Sequence, residues 1–394
     1  MQTAEPYSMR PPHLPLHICL VCNTAWAMHT YRPGLIRSLL AHGVRVTVLS
    51  QPDRTIEPLR AMGVTCIDIP IESKGTNPLT DLKTVWMLWR QYRRLKPDLV
   101  FHYTIKPNIY GTFAAALAGV KSIAVTTGLG YVFIQHSLAA RVAKQLYRLA
   151  FRFPREVWFL NPDDERTFLQ AGLLARPERA ALLPGEGIDL DQFPMTPLAA
   201  DKPHFDFLLV GRLLWDKGVG EYAAAARIVK ARHPQARFRL LGPAGVANPS
   251  AIPLAQIEAW VREGTLEWLG ETDDVRPYLR EADCVVLPSY REGMPRTLLE
   301  ASALGRPIVA TRVPGCQDVV TDGVTGLLCD VRNADDLAAK MLKLIEMSSA
   351  QRADMALAGR AKVEAEFDEK AVVRRYFDAI AAHTGQQLAA PLPA

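Results

Sequence analysis

Glu292 and Glu300 stand eight positions apart in the segment Pro288–Gly305, PSYREGMPRTLLEASALG. The apolar run Cys284–Leu287 before it reads as a strand, Pro295 suits the first position of a helix, and Gly305 suits its stop. The first free amides of that helix, near Arg296 and Thr297, would point out of the carboxyl edge of a sheet, a ready site for phosphate. Eight helical residues span about 12 Å, beyond the roughly 5–9.5 Å at which two carboxyl groups hydrolyse one glycosidic bond. The spacing therefore argues against hydrolysis by paired carboxylates. It suits a ligand with a polyhydroxyl group at each end and a diphosphate between. The alternative is two solvated glutamates flanking a helix.

A second cluster lies in FDFLLVGRLLWDKG, residues 205–218. An apolar strand ends at Gly211, which puts Arg212 at a sheet's carboxyl edge and Lys217 about one turn further on. A guanidinium and an ammonium facing a cleft can neutralise a diphosphate leaving group, work often given to a metal ion. The alternative is a pair of exposed loop cations. No His/Cys cluster suggests metal ligands, so the sequence calls for neither metal nor cofactor.

These residues need sheets to hold them. His17–Val21, Val44–Leu49, Cys66–Ile69, Leu99–His102 and Ser122–Val125 read as strands, with helical patterns at Arg32–His42, Thr80–Leu95 and Tyr110–Ala118 between them. The alternation restarts with strands near Phe205–Val210, Phe238–Leu241, Leu266–Leu269, Cys284–Leu287 and Ile308–Ala310. The expected architecture is α/β: two doubly wound, Rossmann-like domains facing a deep cleft, residues 17–184 and 185–368, after a Pro-rich disordered tail at 1–16. A last helix near Glu369–Ala382 follows the second domain.

The chain has 394 residues, enough for two ordinary cores. Its net charge is +5, but residues 1–186 hold 22 Lys+Arg against 13 Asp+Glu, so the first half is the basic one. That asymmetry suits an anionic partner such as a lipid diphosphate or an acidic leaflet. Six cysteines do not make a disulfide framework, and Cys19-x-x-Cys22 lies inside an apolar strand, so a reducing, cytoplasmic compartment is expected. No apolar stretch reaches the ~18 residues of a bilayer span. Trp86, Trp89 and Tyr92 among Lys83, Arg90, Arg93 and Arg94, and a second basic amphipathic stretch at Ser137–Arg155, suit a peripheral contact with an anionic membrane. Otherwise the aromatics face the core and the cations face water.

The motifs together resemble glycosyltransferase family 4, the retaining transferases of GT-B fold: Glu292-x7-Glu300, Gly211-Arg212-x4-Lys217-Gly218, and Gly185-Glu-Gly-Ile-Asp189 with Phe193 at the linker. The resemblance implies that Glu292 holds the transferred hexose, that Glu300 binds the ribose hydroxyls, and that Arg212 and Lys217 bind the diphosphate of a nucleotide-sugar. Gly293, Met294, Arg296 and Thr297 complete the donor site. It also implies that the last helix, residues 369–394, crosses back to the first domain.

The first domain has the loop Asn23–Arg32 where many relatives have a Gly-Gly turn. With Thr104–Gly111 and Thr127–Phe133 it is similar to the bacterial subgroup that adds N-acetylhexosamines to undecaprenyl-diphosphate-linked sugars in capsule, O-antigen and protein-glycan assembly. Trp26, His102, Lys106, Asn108 and Gly128 are the acceptor-side candidates. His102 stands three residues before the position where relatives often carry a histidine, here Ile105. The expected partners are a nucleotide-diphosphate sugar, with UDP as the expected nucleotide, a polyprenyl-diphosphate-linked acceptor and an anionic membrane surface on the inner face of the cytoplasmic membrane, with no nucleic acid. The rival readings are a sugar-nucleotide epimerase of the same shape and a catalytically silent sugar-nucleotide-binding assembly partner.

Overall fold

The computed structural model describes residues 15–71, 77–129, 138–198 and 202–389. Two parallel sheets organise it. The first has seven strands, β1 His17–Thr24, β2 Arg45–Gln51, β3 Thr65–Asp68, β4 Leu99–Tyr103, β5 Ser122–Thr126, β6 Glu156–Phe159 and β7 Ala180–Leu182, in the spatial order β3-β2-β1-β4-β5-β6-β7. The second has six, β8 Asp206–Val210, β9 Arg237–Leu241, β10 Glu267–Trp268, β11 Cys284–Leu287, β12 Ile308–Thr311 and β13 Leu327–Cys329, ordered β10-β9-β8-β11-β12-β13. In each sheet the order reverses once, between β1 and β4 and between β8 and β11. A crevice opens outside the carboxyl ends at such a reversal.

The apolar runs are nearly continuous because both faces of each sheet are covered. In β8, Phe207 and Leu209 enter one core layer while Leu208 and Val210 enter the other. In β1, Ile18 and Leu20 face one side, Cys19 and Val21 the other. β6, β7 and β13 were not expected from the sequence. They have only four, three and three residues, and Ala180-Ala-Leu182 has no β-branched residue to mark it. Pairing of β6 with β5, of β7 with β6 and of β13 with β12 makes them strands.

Helix Glu369–Thr384 follows the second sheet in sequence yet buries Val372, Val373, Tyr376, Phe377 and Ile380 in a core layer of the first sheet. The Tyr376 ring lies 4.9 Å from those of Phe101 and Trp158, and its hydroxyl accepts from Tyr103. Left-handed Gly187 admits the crossing: a Cβ there would sit 2.7 Å from Glu369 Cα. Arg375 and His383 of this helix both hold Glu156. Burial alone would raise that carboxyl, but hydrogen bonds from His383 and Trp158 and the Arg375 charge hold it at about 2.

Tyr376→Ala removes a fully buried aromatic ring, and we expect it to destabilise the first domain by about 3–5 kcal/mol. Denaturant unfolding followed by tryptophan fluorescence, with Trp158 beside the site, measures this.

Candidate functional site

The second-sheet half of the site follows β8 and β11. After β8 the chain turns through Arg212 to a short 3₁₀ turn, Trp215–Lys217, closed by left-handed Gly218. Only glycine fits there, since a Cβ would lie 2.1 Å from Pro288 O at the end of β11. That contact brings the two loops together, and Lys217 Nζ reaches Glu292 Oε1 at 2.5 Å. Glu292 is also tied through its backbone N–H to Pro314 O at 3.2 Å.

Helix Arg296–Ala303 begins one residue later than expected, with Pro295 as its cap residue, and no side chain bonds its first amides. Arg296 Nε lies 2.8 Å from Glu300 Oε1. Glu300 is 8% exposed, and burial raises its carboxyl while Arg296 opposes the rise. Thr297 stands in the first turn of this helix, its hydroxyl 3.5 Å from Val210 O. Met294 packs over Gly185 of the linker. Arg212 is exposed and makes no ion pair among the described residues.

The first-sheet candidates separate. His102 is fully buried in β4, its Nε2 2.9 Å from the Tyr92 hydroxyl and its ring against Gly111, where a Cβ would come within 2.5 Å. It is a satisfied strand histidine and not a cleft residue. Lys106 is committed to Asp81, 2.7 Å away, and Tyr110 donates to the same carboxylate. Asn108 is buried in the π-turn Pro107–Gly111 and donates to Val125 O at 3.0 Å. Its Oδ1 has no partner, and neither does Thr104 Oγ1 on a left-handed residue just beyond β4. Gly128 lies against Gly293. Of Thr127–Phe133, residues 130–133 fall outside the described residues.

Asn23–Arg32, expected as a loop, is the end of β1 followed by helix Ala25–Tyr31, whose N-terminus the Thr24 hydroxyl caps. Trp26 is 40% exposed on this helix. Two neighbours were missed. The Tyr31 ring stands 5.7 Å from the Arg296 guanidinium of the other sheet's helix. Arg32 is buried against Glu186 of the linker, 3.9 Å over the Tyr103 ring. Both stood in the quoted loop, but only its folding into a helix turns them to these partners.

Two family models match in succession: glycosyl transferase 4-like over residues 17–161, and glycosyl transferases group 1 over residues 204–347. Among curated relatives, the N,N'-diacetylbacillosaminyl-diphospho-undecaprenol alpha-1,3-N-acetylgalactosaminyltransferase of Campylobacter jejuni is 27% identical over 92% of this chain and 97% of its own. The UDP-Gal:alpha-D-GlcNAc-diphosphoundecaprenol alpha-1,3-galactosyltransferase of Escherichia coli is 24% identical over 71% and 74%. Anabaena HepE in complex with UDP-glucose superposes with a TM-score of 0.76 at 19% identity, over 93% of this chain and all of the other. Sucrose-phosphate synthase from Thermosynechococcus elongatus gives 0.78 at 21%, with the same coverage.

Burial lowers the His102 pKa from 6.5 to about 3. A folded-state pKa below the unfolded value means that the unfolded chain binds the extra proton, so stability is full above pH 6.5 and is lost as pH falls toward 3. We expect the contribution of His102 to unfolding free energy to decline between pH 6.5 and 4.5, and His102→Gln to lose that part of the pH dependence. Urea titrations at stepped pH read both.

Proposed function

This chain belongs to glycosyltransferase family 4, of GT-B fold, and on that premise we propose that it moves a hexosyl or N-acetylhexosaminyl group from a UDP-sugar to a polyprenyl-diphosphate-linked acceptor, with retention and without a metal ion. The observation that carries the reading is one cluster at the reversal of the second sheet. It holds a carboxylate, Glu292, paired with a cation, Lys217; a guanidinium, Arg212, without an ion pair among the described residues; a helix start with uncommitted amides; and a buried carboxylate, Glu300, one turn into that helix. Cations and amides suit the diphosphate, and the carboxylates suit hydroxyl groups on either side of it. The names of the Campylobacter and Escherichia relatives, both acting on diphospho-undecaprenol-linked sugars, support the acceptor class.

In the proposed reaction the bond between the anomeric carbon and the diphosphate oxygen breaks, and the acceptor oxygen bonds to that carbon on the same face. The acceptor's proton passes to the departing diphosphate. Lys217, drawn from Glu292 by the phosphates, joins Arg212 and the helix amides in stabilising the charge that develops there. Glu292, freed of its cation, orients the sugar ring through its hydroxyls.

UDP at saturating concentration should raise the melting temperature, since a ligand at 100 Kd adds about 2.7 kcal/mol to stability. GDP, ADP and CMP should not, and Arg212→Ala and Glu300→Ala should each lose the shift. With a UDP-N-acetylhexosamine and a prenyl-diphosphate-linked sugar, Glu292→Ala should lower kcat on the order of 10²–10³-fold. NMR should show a retained anomeric configuration, and EDTA should leave the rate unchanged. UDP release without added acceptor sugar, an inverted product, or turnover intact in Glu292→Ala would each count against this reading.

The same reading places the first domain on an anionic membrane. Helices Pro78–Leu95, Thr112–Ala118 and Leu138–Ala150 cover the face of the first sheet opposite helix Glu369–Thr384. Tyr92 points into the core, but Leu79, Leu82 and Trp86 are exposed beside Lys83, Arg90, Arg93 and Arg94, and Leu117, Val142 and Phe153 are exposed on the same face. No described helix is long and apolar enough to cross a bilayer. Each cation near an anionic surface contributes about 1 kcal/mol. Arg90→Glu with Arg93→Glu should therefore abolish co-sedimentation with phosphatidylglycerol vesicles, and Trp86→Ala should weaken it. Equal binding to phosphatidylcholine would refute the electrostatic part.

A further inference from the structure

The loop that carries Glu292 belongs to the second domain, yet the first domain holds it. Arg291 forms an ion pair with Asp164 at 2.5 Å, and Asp164 is fully buried. Asn161 Nδ2 donates to Gly293 O at 2.7 Å while its Oδ1 accepts from Asp164 N at 2.8 Å. Both residues therefore sit fixed at the capped start of helix Pro162–Gln170, directly after β6. From the end of β5, Thr127 and Gly128 press so close that a Cβ on Gly293 would lie 2.4 Å from Thr127 O and 3.1 Å from Gly128 Cα. The second domain holds the same loop through the Lys217 contact, one backbone bond from Glu292 to Pro314, and Gly315, where a Cβ would lie 2.8 Å from Glu292 O and Gly293 O.

We propose that Asn161, Asp164 and Arg291 form an interdomain latch that sets the position of Glu292, so that the first domain aligns the carboxylate meant for the donor sugar. This rests on the reading that Glu292 holds that sugar. The three are positioning residues, acting through the loop. The nucleotide-side groups, Glu300, Arg296 and Arg212, stand on the second domain, outside the latch. Nucleotide binding and sugar alignment are thereby separable: the charged groups for the first stand outside the latch, while the second depends on it. Asp164 Oδ2 and Arg291 Nε are buried without partners, so the pair uses one of two available bonds. A small rotation of the domains would let the fork close on the carboxylate.

Asn161→Ser keeps a cap for the helix but is too short to reach Gly293. Arg291→Gln and Asp164→Asn remove the charges. In each variant we expect kcat for UDP-N-acetylhexosamine transfer to fall ten- to a hundredfold, with the UDP-induced thermal shift unchanged. We also expect faster hydrogen exchange at residues 291–294, with helix Arg296–Ala303 protected as before. The double variant Asp164→Asn with Arg291→Gln should be no worse than either single one. Parental exchange at 291–294 in Asn161→Ser and Arg291→Gln would overturn the latch, as would kcat within twofold of the parent. A UDP shift lost in step with kcat would overturn it too, because the loop would then belong to the nucleotide site. Failure of the parent itself to bind UDP would strike the transferase reading, while the exchange measurement would still decide the latch.

Discussion

The site depends on a backbone-to-backbone contact: Thr127 and Gly128, at the end of a first-domain strand, lie against Gly293 with no room for a side chain between them. Two sheets that only faced each other across solvent would leave a wide cleft with reactive groups on one wall. Here the walls touch at the loop bearing Glu292, and the cleft closes down on that carboxylate. The crossing helix Glu369–Thr384 makes the arrangement durable, because a chain that begins in one core and ends in the same core ties the domains at two places. The linker between them pairs its Glu186 with buried Arg32, beside left-handed Gly185 and Gly187.

Charge pairing at the site follows from the same closeness. Lys217 is neutralised by Glu292 and Arg296 by Glu300, so two of the cations suited to a diphosphate are held by the carboxylates suited to the sugars. An unpaired buried charge is costly, and each pair spares its members that cost. A ligand carrying both phosphate and hydroxyl groups can replace each partner at once, giving the cations an anion and the carboxylates a set of donors. A bare phosphate satisfies only half of the exchange. Arg212 is exposed and has no ion pair among the described residues to exchange.

Much of this was legible in the sequence because it is local. Residues 205–218 and 288–305 each run from strand to loop to helix within one stretch, so types and spacing alone brought Arg212, Lys217, Glu292 and Glu300 to one sheet edge. Ten of the thirteen strands among the described residues were expected for the same reason. What escaped was non-local. β6, β7 and β13 are defined by their neighbours, and Asp164–Arg291 and Asn161–Gly293 join residues more than 120 positions apart. His102 misled because a polar residue near a strand end looks available. Its side chain points instead beneath helix Pro78–Leu95, where Tyr92 satisfies it.

Tyr31 shows how the non-local contacts alter the chemistry as well as the shape. It closes a first-domain helix, yet the charges acting on its hydroxyl come from the other side of the cleft: burial raises it, Arg296 lowers it, and Glu186 and Glu300 raise it again. The ring and the Arg296 guanidinium face each other across the domain boundary, so the cation that pairs with Glu300 also carries an aromatic surface from the first domain. A helix in place of a flexible loop is what makes this possible. Thr24 fixes where the helix starts, seven residues carry the chain to Tyr31, and the first domain delivers a rigid group to the second domain's charge pair.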